Sequence, residues 1–246
     1  MNQNQRDRAL ALMELVRSRL PAEFEVTGDC DAWPLISLAL LSRTTGTLDS
    51  VLLLQPSERA SDASTLVRSL YEHVVHFAWL AADPSAERIE EWRKHDLKQR
   101  LKADDDCKAV GYPLFDSATR AKIEAQVAAM KGNDLVLTNI AVAADKHWEP
   151  HIDTLEGHTQ LRSFRGLYAS AYRLHSGVAH PSERGIHPVV EDLTGSRRRV
   201  KLEDSFEGHG PYGLATAIYA LALLVGEQSL GWPSTAEVDN IFAQHP

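Results

Sequence analysis

Apolar residues recur at helical spacing along most of this chain, and the places where the spacing stops mark the ends of its elements. A first helix is expected over residues 6–20, closed by Pro21, and a second over about 34–54, closed by Gln55-Pro56. A third runs over about 60–82. Asp83 is placed as the N-cap and Pro84 as the first helical position of a charged helix reaching about Lys102, with Glu87 near the positive end of its dipole. Asp116 or Ser117 opens a short helix ending near Lys131-Gly132. Residues 159 to about 178 supply another, about 213–230 the last long one, and Pro233-Ser234 opens a short final helix. Between Pro188 and Asp204 the pattern changes: Val189-Val190, a Thr194-Gly195-Ser196 turn, then Val200 alternating with charged residues, which reads as a hairpin. The expected fold class is all-α, a bundle of about seven or eight helices with a small β-hairpin near residues 188–204, and residues 1–246 forming one domain.

Two of these helices carry a polar second face. In the third, Leu66, Val67, Leu70, Tyr71, Val74, Phe77, Ala78 and Ala81 form a wide apolar face, and Arg68, Glu72, His76 and Trp79 lie opposite. A Trp on a stripe facing only water is unusual, so this helix is expected to be covered on both sides. Arg68 and Glu72 are four residues apart and can pair, although Arg-first is the weaker order on an exposed helix. In the helix from about residue 159, Phe164, Tyr168, Tyr172 and His175 group on one side, with Leu167, Ala171, Leu174 and Val178 on the other. Tyr172, Ser176 and His180 follow at intervals of four. His180, just before Pro181, is expected at or beyond the helix C-terminus, where the dipole favours an imidazolium and raises the pKa from about 6.5.

Charge and cysteine content narrow the function classes. A formal net charge of −8 over 246 residues argues against a broad, sequence-independent grip on nucleic acid, which needs many Lys and Arg, but leaves room for a small basic site. Cys30 and Cys107 are the only cysteines and lack metal-type spacing, so a reducing cytoplasm is the expected compartment. The segment Met1–Arg8 has no secretory apolar core, and the longest apolar run, residues 215–225, is too short to cross a bilayer; no membrane span is expected.

The segments Arg68-Ser69-Leu70-Tyr71-Glu72 and Tyr172-x3-Ser176-x3-His180-Pro181 together resemble a bacterial helical family catalogued as domain of unknown function five-six-seven-seven, over residues 51–181. The resemblance implies a helical fold without an assigned activity. It suggests that Arg68, Glu72, Tyr172, Ser176 and His180 form one polar cluster where two core helices meet, with His76 and His175 beside it as further binding residues. The stretch from Tyr172 to His180 also resembles the signature of HEPN ribonucleases, helical bundles in which an Arg and a His end one helix and the pairs of two protomers meet across a dimer to cut RNA without metal. Here Arg173 and His180 enclose six residues, the loose end of that family's spacing, and Arg173 is followed by Leu174 rather than by a polar residue. What this resemblance implies is a homodimer acting on RNA at a local site, in a toxin or phage-defence setting, with His180 as general acid and base and Arg173 on the phosphate. The competing reading is a non-catalytic interaction or small-ligand-binding module in which the same cluster is structural.

Other motifs carry less. Gly208-His209-Gly210-Pro211-Tyr212-Gly213 matches the dinucleotide fingerprint in letters, but the sequence after it supplies no second parallel strand with an acidic residue. His147 and His151 are four apart with Glu149 between them, and Pro150 is expected to interrupt the continuous helix a zinc site of that kind requires. No metal and no cofactor are expected. Arg197-Arg198-Arg199 is the one concentrated basic run and suits a solvated turn; Ser176 lacks the strand-to-helix elbow of a hydrolase nucleophile.

Overall fold

A computed structural model describes residues 3–20, 33–54, 59–132, 134–152, 163–174, 190–192, 198–200, 210–231 and 235–245. Among these residues the chain is all-α in architecture, with nine α-helices: α1 (Gln3–Arg19), α2 (Trp33–Leu54), α3 (Ala60–Ala81), α4 (Ala86–Ala109), α5 (Ser117–Ala129), α6 (Leu137–Ile152), α7 (Phe164–Leu167), α8 (Gly210–Leu230) and α9 (Thr235–Gln244). α7 passes directly into a π-helical segment, Tyr168–Leu174. Two three-residue strands, β1 (Val190–Asp192) and β2 (Arg198–Val200), pair antiparallel with Glu191 opposite Arg199.

α3 is the axis of the bundle. It packs against α2 and α8 on one side and against α6 and the π-helical segment on the other. Val67, Leu70, Val74, Val75, Phe77, Ala78 and Leu80 are all at most 1% exposed, so the expectation of cover on both sides is met. Trp79, on the polar face of the sequence pattern, is buried because Arg88 of α4 lies over its ring, 5.1 Å from the centroid, and donates to its carbonyl at 2.9 Å. On the far side, Trp148 of α6 is buried and its indole N–H reaches the Ala78 carbonyl at 2.8 Å, locking α6 to α3.

Three sequence expectations need correction. α6 is missing from the helices that periodicity predicts, which raises the helix count above seven or eight, and it runs without interruption through Pro150. That proline lies in the last turn, where little helix remains beyond it for a kink to displace. His147 and His151 therefore do share a helical face, with rings 6.3 Å apart, yet no group of three His, Cys, Asp or Glu side chains among the described residues could hold a metal. The cap of α4 is Ser85, whose Oγ accepts from Arg88 N, and Asp83 instead pairs with the Arg88 guanidinium at 3.1 Å. Lastly, the uninterrupted run 215–225 understates α8: its segment Pro211–Leu230 has the length and mean hydropathy, 1.4, to cross a bilayer. In this fold 61% of that window is buried inside the bundle.

α4 and α5 pack on each other as an arm. Of the 24 residues of α4, Ile89 and Asp104 alone are fully buried. α4 ends in a Schellman turn, with Gly111 at φ 87°, Tyr112 N bonded to Cys107 O and Gly111 N to Lys108 O. Asp104 fixes the loop into α5: its carboxylate accepts Leu114 N at 2.7 Å, Phe115 N at 3.1 Å and the Arg120 guanidinium at 2.6 Å. Arg120 foremost holds that carboxyl below the usual range. α5 then starts on Asp116, as the sequence suggests.

Candidate functional site

The site begins with the way α7 is anchored. Ser163 Oγ accepts from Gly166 N at 2.7 Å, and the Asp145 carboxylate of α6 accepts from Phe164 N at 2.6 Å and Arg165 N at 3.0 Å. A carboxylate at a helix N-terminus satisfies otherwise orphaned N–H groups. Burial, which outweighs these bonds, raises the Asp145 pKa. The Tyr71 hydroxyl of α3 donates to the Phe164 carbonyl at 2.7 Å, and its burial pushes the phenol upward, out of reach of ordinary titration.

With its start pinned in this way, the π-helical segment lays Tyr168 and Tyr172 against α3. Their rings stack at 5.0 Å with 15° between planes, and each lies 6.4 Å from the Tyr71 ring. Arg68 Nη2 donates to the Tyr172 hydroxyl at 3.0 Å, its guanidinium carbon lies 4.5 Å from the Tyr172 ring centroid, and its Nε lies 3.3 Å from Glu72 Oε1. The Arg68, Glu72 and Tyr172 side chains expected to meet, a hundred residues apart in sequence, do meet. Their ion pair is half-buried, the side chains being 26% and 38% exposed.

Beside this junction opens a cavity of about 340 Å³. Its polar wall is Glu72 and His76 from α3, His95 and Gln99 from α4, and Tyr172; Leu135, with Leu137 and Ile140 of α6, supplies the apolar wall. His76 Nδ1 is shut off from solvent and finds no hydrogen-bond partner among the described residues. Burial first, then the neighbouring His95 and His73, lower the His76 pKa from 6.5 to about 4, so the ring is neutral at physiological pH. His73, one turn away, is lowered too, by burial and by Arg43; its Nδ1 makes a long contact, 3.5 Å, with Thr47 Oγ1.

His95 and Gln99 escape the sequence pattern. They sit on a highly charged helix, where polar residues at spacing four are the rule, and only the fold shows which of them border the cavity. Arg173, next to Tyr172, has an exposed side chain and is not part of the cavity wall. His175, Ser176 and His180 lie outside the described residues, as do Arg197, Gly208 and His209. Around the cavity, Lys94 donates to the carbonyls of Met130 and Gly132, at 2.9 and 3.1 Å, and Lys98 pairs with Asp134, so α4 holds in place the strap that leads to Leu135.

Among known proteins, the model of a family of unknown function (DUF5677) matches residues 35–197 of the chain. No curated protein and no solved structure matches it. Every residue lining the cavity falls within the matched stretch.

Proposed function

Since the chain belongs to DUF5677, a family that brings no activity with it, we propose from the cavity itself that the protein binds a small molecule between α3, α4, α6 and the π-helical segment. The observation that carries this reading is the convergence of five polar side chains from three separate elements on one concave space with an apolar wall. Few positioned polar groups set in an otherwise apolar hollow are the usual make-up of a ligand site.

Filling the cavity tests this. Leu137 is half-buried on the wall, and Leu137→Trp brings an indole into the hollow. Small molecules extracted from purified wild-type protein, identified by mass spectrometry and titrated back, are expected to bind wild type and not Leu137→Trp, with the two proteins melting within a few degrees of each other. Equal binding to both would remove the cavity from consideration.

The second reading, a HEPN-like ribonuclease acting as a homodimer, rests on Arg173, whose exposed side chain is accessible to a phosphodiester. Cleavage of total RNA in the presence of a chelator, lost on Arg173→Ala and on His180→Ala in chains that still fold, would favour that reading over a binding module.

A further inference from the structure

Resting on the reading of this cavity as a binding site, we infer that its ligand is an uncharged carboxamide or lactam on an apolar body, and that the cavity rejects the carboxylate and the amidinium of the same shape. Charge compensation decides between them. Among the described residues no Lys or Arg lines the cavity, so an anion entering it meets the Glu72 carboxylate, and the Arg68 guanidinium behind the wall is already paired with that carboxylate. A cation meets the same carboxylate only in competition with Arg68, whose Nε already lies 3.3 Å from Glu72 Oε1. His76, held neutral by its burial, shows that this wall disfavours positive charge even on a group built into it.

Neutral hydrogen bonding is well provided. The Tyr172 oxygen accepts from Arg68 at 3.0 Å, which leaves its own O–H hydrogen to donate to another acceptor. Glu72 is an acceptor and Gln99 offers both functions. A carboxamide or lactam presents a donor and an acceptor side by side, matching an acceptor and a donor on this wall. Its hydrocarbon body fits against Leu135, Leu137 and Ile140.

Three probes of one shape isolate the charge: benzamide, benzoate and benzamidinium, titrated into the full chain at neutral pH by calorimetry and by the imidazole NMR signals of His76 and His95. Benzamide is expected to bind at least about tenfold tighter than either ion. That binding is expected to weaken in Tyr172→Phe and to vanish in Leu137→Trp; Gln99→Trp, at an exposed position on the rim, repeats the block without touching the core. Benzoate or benzamidinium binding as tightly as benzamide, and blocked by the same tryptophans, would overturn the ligand class while leaving the cavity a binding site. If none of the three binds, or if binding ignores both tryptophans, the ligand class and the site fall together.

Discussion

At the scale of single residues, His76 is the most informative side chain in the protein. An imidazole whose pKa falls from 6.5 to about 4 on folding refuses a proton that the unfolded chain accepts. This residue therefore costs no stability above about pH 6.5, and the folded state loses ground as the pH drops from there toward about 4. With 1.36 kcal/mol for each tenfold change in proton affinity, the full loss amounts to about 3 kcal/mol. His73, lowered for the same reason, adds to the slope, whereas Asp145, raised by burial, acts in the opposite direction at the acid end. The contribution of His76 is read as a difference: urea denaturation of wild type and His76→Gln across this range is expected to show the variant losing less stability on acidification. Parallel curves would mean that His76 is protonated as easily in the fold as out of it. Helical spacing alone puts His76 on the right face of α3. It does not show that the ring is neutral, because that depends on burial in the folded bundle and on His95 arriving from α4.

Among the elements, the junction of α3 with the π-helical segment decides where Tyr172 stands. Arg68 reaches both Glu72 and Tyr172, and a hydrogen bond from a charged donor with a ring face beneath it is strong when buried and weaker when water has partial access. A double-mutant cycle on Arg68→Ala and Tyr172→Phe is expected to give a coupling of about 1 kcal/mol. The π-helical turns carry one residue more than an α-helix would. A coupling near zero would mean that the guanidinium and the phenol do not meet in solution. Helical periodicity reveals α3 because its apolar face is wide and unbroken. It does not reveal the π-helical segment, since Tyr168 and Tyr172 keep the same spacing in either helix type, nor α6, where Pro150 near the end and a modest apolar stripe hide a continuous helix.

For the molecule as a whole, the question is what α8 is for. Its composition passes the length and hydropathy test for a membrane span, a property that the uninterrupted run 215–225 does not display. In the bundle, α8 packs on α2 and α3, and Ala215, Ala220, Ala222 and Val225 are at most 1% exposed. Small side chains along a helix let its neighbours approach closely, although Gly226 itself leaves room for a Cβ, which would stand an ordinary 3.9 Å from Leu41 of α2. A close-packed contact of this kind penalises added volume, whereas a lipid-facing position accepts it, so substitution toward a larger and more apolar residue separates the two roles. Ala222→Leu is expected to lower stability by about 1–3 kcal/mol in urea denaturation without detergent, because the extra carbons have no space between α8 and its neighbours. If the substitution were neutral or stabilising, α8 would not be the tightly enclosed core helix on which α3, and through it the cavity, depends for position.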